Sequence, residues 1–250
     1  MENTPALWTL LSISVVKSGQ QLPDETLVAK WLSLSGVLPF EFVIDIEYDA
    51  KDGLKAPKSY LNVLLPYTDR LESIQLDFEF SYIKYFLDRP GLDLPNLKNV
   101  AIRFPWTELD DDTPLAALET APSLQHLEYF SPDRDSTFLS RLVLPTSTIT
   151  SLDITLGTDD PNVVRNIVVS CPKLEICEVE IPRYLDEVPD HVPVVLHHLE
   201  TLSVIFSDPE GSPSFLDGLI LPAMLFEKGQ NYFPILRPIF HFFRSFKRDM

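Results

Sequence analysis

At 250 residues, with hydrophobic side chains at 45% and charged ones at 23%, the chain has the usage of a folded globular protein and is too apolar to stay disordered. A formal net charge of −17 repels phosphate backbones, which argues against nucleic acid as a partner, and no run approaches the roughly 18 apolar residues of a membrane span. Few glycines (8) against many prolines (22) imply turns set by a fixed φ, and hence many short elements.

In chain order, the opening Met1 to Pro5 lacks a basic region ahead of an apolar one. With two cysteines and no Asn-x-Ser/Thr sequon, this points to a cytoplasmic or nuclear protein with free thiols. A helix is predicted around Thr26 to Ser35 with Trp31 and Leu32 inward, and a strand from Leu38 to Tyr48 that enters the same sheet as the later strands. Residues 1–50 are read as an N-terminal cap with this lead-in strand.

From residue 71 one pattern recurs, an apolar residue followed by apolar residues three, five and seven positions on. It runs through Leu71, Ile74, Leu76 and Phe78, then Leu97, Val100, Ile102 and Phe104, then Leu124, Leu127 and Tyr129. It returns in Ile149, Leu152, Ile154 and Leu156, in Leu174, Cys177, Val179 and Ile181, and in Leu199, Leu202, Val204 and Phe206. The starts lie 26, 27, 25, 25 and 25 residues apart. Alternation inside each segment predicts a strand with one buried face, and even spacing between segments predicts a stacked array.

The connections also repeat. Asp160 to Pro172 offers an Asp N-cap, Pro161 at the first helical position, Val163, Val164, Ile167 and Val168 on one face, and a proline stop. Thr113 to Pro122 reads as a shorter version, and Pro-x-Leu precedes the strands at Leu97, Leu124 and Leu174. Helix, proline and strand in about 25 residues predict an α/β leucine-rich-repeat solenoid over residues 51–222, a curved parallel sheet with helices on its convex side. Leu216 to Pro222 begins one more strand, and residues 223–250 read as a divergent aromatic and basic tail, either a hydrophobic C-terminal cap, the favoured reading, or a poorly ordered sticky end.

Thr4 to Trp8, followed by Lys30 to Phe40, resembles the stretch after the F-box in fungal F-box proteins. Ala121 to Leu127, Cys171 to Glu175 and Phe215 to Ala223 are similar to phrases of the degenerate leucine-rich repeats of that family, so the likeness covers roughly residues 4 to 225. The resemblance implies a substrate receptor of a cullin-based ubiquitin ligase, whose F-box docks on the Skp adaptor while the repeats capture a target protein. Leu22 to Leu27 matches the opening of an F-box but runs into the strand-like Phe40 to Tyr48, so the F-box is expected to be missing and adaptor docking is not expected of these residues. The asparagine usual after each repeat strand is absent as well.

Residues alternating with the buried positions should line the open sheet face, where repeat arrays bind. They are Gln75 and Asp77, Ala101 and Arg103, Glu128 and Phe130, Asp153 and Thr155, Glu178 and Glu180, Ser203 and Ile205. Five acids against one base predict a protein target with a basic segment, and Phe130 and Ile205 are the candidate apolar anchors.

Other clusters have plainer readings. Cys171 and Cys177 lie six apart and suit core packing; His191, His197 and His198 beside Glu200 read as a solvated helix face; Asp110, Asp111 and Asp112 suit a helix start. No metal or cofactor is expected. No nucleophile elbow or phosphate-binding glycine loop occurs, so the reading is a non-enzymatic interaction scaffold. Its alternatives are a truncated family relative without ligase activity, and an acidic hydrolase, which would need carboxylates of raised pKa in a pocket.

Overall fold

A computed structural model describes residues 4–15, 23–46, 56–103, 114–131, 138–156, 161–181, 193–206 and 218–221. Strands β1 (Leu10–Val15), β2 (Phe40–Ile46), β3 (Leu71–Asp77), β4 (Asn99–Arg103), β5 (His126–Ser131), β6 (Ser151–Leu156) and β7 (Ile176–Ile181) succeed one another along the chain. After the short β8 (Val194–Val195) comes β9 (Thr201–Phe206), and β10 (Leu219–Ile220) is the last. β1 to β7 and β9 form one eight-stranded sheet in chain order, and every neighbouring pair is parallel. The six repeat segments are thus adjacent rungs of one sheet, and the lead-in strand β2 joins it as expected.

The prolines have a specific job. The carbonyls of Leu94, Ala121 and Cys171 each accept from the N–H of the leucine three residues on, Leu97, Leu124 and Leu174. Pro95, Pro122 and Pro172 therefore occupy the second position of the same tight turn, where their fixed φ is already the one needed. Leu196 and Leu199 close the equivalent turn without proline. Just beyond each turn one carbonyl bridges to the next rung: Lys98 O accepts from Gln125 and His126, Gln125 O from Thr150 and Ser151, Thr150 O from Glu175 and Ile176, and Glu175 O from Glu200 and Thr201. The repeated bridges, with the turn shared by β4, β5, β7 and β9, fix the stagger, so equivalent side chains stack in rows.

Two inward rows result, and they carry most of the sheet's apolar contribution to the core. Phe42, Ile74, Val100, Leu127, Leu152, Cys177 and Leu202 form one, and Ile44, Leu76, Ile102, Tyr129, Ile154, Val179 and Val204 the other. Burying one such aliphatic side chain contributes about 1.5–3 kcal/mol. The helices α1 (Glu25–Leu34), α2 (Ala56–Leu64), α3 (Phe80–Leu87) and α5 (Pro161–Ser170) add Val28, Leu32, Tyr60, Leu61, Ile83, Phe86, Val164 and Val168 to the same continuous core. α4 (Phe138–Arg141) is a single turn.

Asp24 caps α1 by accepting from the Thr26 N–H at 2.7 Å. At the other end Gly36 takes a left-handed φ of 63°, and Arg70 reaches across to the Leu32 carbonyl, the Ser35 hydroxyl and the Gly36 carbonyl. The guanidinium thus reaches one of the last carbonyls of α1 and the turn that follows it, and ties the helix to the start of β3. Trp31 packs partly buried on the core and edge-on to Trp8, ring centroids 4.8 Å apart, while Leu32 is fully buried.

Three expectations need correction or addition. The segment from Thr113 to Ala121 is not a helix where it is described: Leu115 makes a parallel bridge with Leu142, donating to the Arg141 carbonyl and accepting from Val143, and residues 117–120 form a turn. Seven residues between Pro114 and Pro122 leave too little chain for a stable helix once Leu115 pairs with the next segment. His197 and His198 lie exposed in the turn before β9, not on a helix face. β10 forms as a strand but pairs with β8 in a separate two-stranded sheet. Helices α2 and α3 and the edge strand β1 had no counterpart among the predicted elements. His191, Asp110, Asp111, Asp112, Asp160 and the tail 223–250 lie outside the described residues.

Candidate docking face

The register of the sheet gathers all the predicted face residues into two straight rows. In the first, Gln75, Ala101, Glu128, Asp153, Glu178 and Ser203 are successive cross-strand partners from β3 to β9. In the second, Asp77, Arg103, Phe130, Thr155, Glu180 and Ile205 are aligned in the same way. Phe130 is 40% exposed and Ile205 50%, whereas their neighbours along the strand, Tyr129 and Val204, belong to the inward row. The two apolar side chains therefore stand on the open face, separated by Thr155 and Glu180.

Neighbouring strands lie about 4.8 Å apart, so Glu128, Asp153 and Glu178 place three carboxyl groups side by side. Arg103 offsets one of them. Its Nε donates to Glu128 Oε1 at 2.7 Å and its Nη2 meets the same oxygen. Asp153, between the two glutamates, has its carboxyl pushed up to about 6, first by burial, then by Glu128 and Glu178, with Arg103 pulling the other way. Like charges in register on a half-buried surface disfavour ionisation, and an added cation relieves them.

The face is wider than the two predicted rows. Both continue onto β2 and β1, through Val43 and Ser12 and through Asp45 and Ser14, and the Ser14 hydroxyl donates to Asp45 Oδ2 at 3.2 Å. A third row carries Glu41, Ser73, Asn99, His126, Ser151, Ile176 and Thr201. Burial holds the His126 imidazole below its ordinary pKa against the opposing pull of Glu128, and its Nδ1 lies 3.0 Å from the Ser151 hydroxyl. Burial also raises the Glu41 carboxyl, with Glu72 adding to the effect. The alternation that revealed the first two rows extends two residues upstream in each strand, and that was the signal for the third.

Cys171 and Cys177 are both buried and free, and burial pushes each thiol up to about 12. Among the described residues no group of three or more His, Cys, Asp or Glu side chains is arranged to hold a metal ion. No described helix is long and apolar enough to cross a membrane. No family model, curated protein or solved structure matches the chain.

Proposed function

We propose that the chain is a leucine-rich-repeat solenoid serving as a non-enzymatic protein-interaction scaffold, similar to the target-capturing repeats of fungal F-box proteins, and that it binds a basic segment of a partner on its open sheet face. The fold reading is supported by repeats of 25 to 27 residues, each delivering one parallel strand in chain order, with β4, β5, β7 and β9 entered through the same turn. The observation that carries the function is the in-register row Glu128, Asp153 and Glu178, in which, among the described residues, only Glu128 is paired, with Arg103, by the bonds described above. A Lys or Arg seated over Asp153 offsets the charges of Glu128 and Glu178, which add to the burial that raises its carboxyl, while Phe130 and Ile205 supply apolar area beside it.

Isothermal titration with an octa-arginine peptide at two salt concentrations tests the reading. We expect binding that weakens steeply between 50 and 200 mM salt, and at least about a tenfold loss in the E128Q/E178Q variant. Equal binding by the variant overturns it.

A further inference from the structure

One edge of the sheet is open. β1 stands at the end of the strand order, and among the described residues only β2 pairs with it. The Glu41 N–H donates to the Thr9 carbonyl while Leu10 lies opposite Glu41, so the backbone groups of Leu11 and Ile13 face β2. Direction alternates along a strand, and the N–H and C=O of Leu10 and Ser12 therefore point away from β2. Those groups meet no partner among the described residues.

Sheet edges are ordinarily blunted by a charge, a proline, a bulge or a covering element. β1 lacks the first three: Leu-Leu-Ser-Ile-Ser-Val is uncharged and without proline, and its register with β2 runs without a shift. The uncharged stretch is longer than the strand. Residues 4–15 contain no Asp, Glu, Lys or Arg in a chain of net charge −17, and Leu7 and Leu10 on it are 62% and 51% exposed. The other edge differs, because β9 is followed along the chain by Leu219 and Leu221, which pack against the core.

An edge of this kind fits another uncharged extended strand, and a second copy of the chain supplies one. Two chains of net charge −17 approach with least repulsion along their uncharged strips. A two-fold axis at Leu11 sets the two β1 strands antiparallel and brings Leu10 of each opposite Ser12 of the other, so the outward N–H and C=O groups of both residues exchange bonds. Leu11 then meets its own copy on the helix side, where it already belongs to the core.

We infer that the chain forms a two-fold dimer in which β1 pairs with β1 of a second copy and the two sheets become one. The contact lies outside the three central acidic strands, so it stands or falls separately from the docking reading.

Sedimentation velocity of the full chain over a dilution series tests it. We expect a monomer–dimer equilibrium whose Kd falls several-fold between 50 and 300 mM salt, because screening relieves the repulsion of two acidic chains; octa-arginine binding has the opposite sign. Amide exchange at Leu10 and Ser12 should slow as the dimer forms. L10E/S12E sets like charges opposite each other across the axis and should weaken dimerisation at least about tenfold, with an unchanged circular dichroism spectrum. S12P removes an N–H that β2 does not use, so it should abolish the dimer while the monomer stays folded; where S12P does not fold, L10E/S12E decides. Monomer alone up to about 1 mM, assembly beyond the dimer, a dimer that weakens with salt, or one that L10E/S12E leaves unchanged overturns the inference.

Discussion

Arg103 on β4 donates through its Nε to Glu128 on β5, 25 residues later in the chain, and the contact is diagonal, because Glu128 is in register with Ala101 and Arg103 with Phe130. The single base among the two predicted rows is thereby turned onto the first of three stacked carboxylates. Its pull reaches Asp153 on the next strand as well. In R103Q the Asp153 carboxyl should titrate at still higher pH, a shift read from its carbon-13 resonance. The stability cost should stay within about 1 kcal/mol, since the pair is partly exposed. No movement of the Asp153 titration would mean that the rows are not in electrostatic contact.

Asp153 itself gives a signed pH dependence. Its carboxyl titrates near 6 in the folded chain and near the ordinary 3.8 when unfolded, so the folded form holds the proton more tightly. The stabilisation is complete below pH 3.8, is lost as the pH rises through 6, and is absent at neutral pH. Two units correspond to about 3 kcal/mol, which solvent screening at a half-buried site reduces to about 1–2. D153N should therefore melt about 3–6 °C higher than the unaltered chain at pH 7.5, and the difference should vanish near pH 4. Equal melting temperatures at pH 7.5 would contradict the burial and neighbouring charges that raise its carboxyl.

Inward and outward positions on β5 should respond differently to truncation. L127A opens a cavity between Val100 and Leu152 and should cost about 2–5 kcal/mol, while F130A removes an exposed ring and should cost less than about 1 kcal/mol. Denaturant midpoints report both. A reversed order would place β5 one residue out of register.

The two thiols should be inert in the native state. Burial both blocks access and keeps them protonated, so a thiol-reactive dye at pH 8 should label neither cysteine until denaturant is added. Rapid native labelling of Cys177 would remove it from the inward row.

Much of this was legible in the sequence because the strand signal repeats. One Leu127 or Ile154 says little, but six segments in the same spacing fix which side chains stack, and the face residues emerge by alternation. Connections were harder. Thr113 to Ala121 has a helix-like start at Pro114, yet Leu115 pairs with Leu142, a residue 27 positions later that no local propensity reveals. α2 and α3 escaped because their apolar faces, built on Tyr60, Leu61 and Leu64 and on Ile83, Phe86 and Leu87, sit among other apolar and aromatic residues that blur the period. β1 offers only Leu11 and Ile13 inward, too short a pattern to stand out before its partner β2 is known. The raised Asp153 carboxyl needed the register itself, since Glu128 and Glu178 are each 25 residues away in sequence.

The docking face is tested most directly by mapping where a basic ligand lands. Backbone amide shifts of the full chain, monitored during titration with octa-arginine, should change first at Arg103, Glu128, Phe130, Asp153, Thr155 and Glu178. Shifts confined to the helices α1 to α3, or an unchanged spectrum at millimolar peptide, would contradict the assignment of this face as the binding surface.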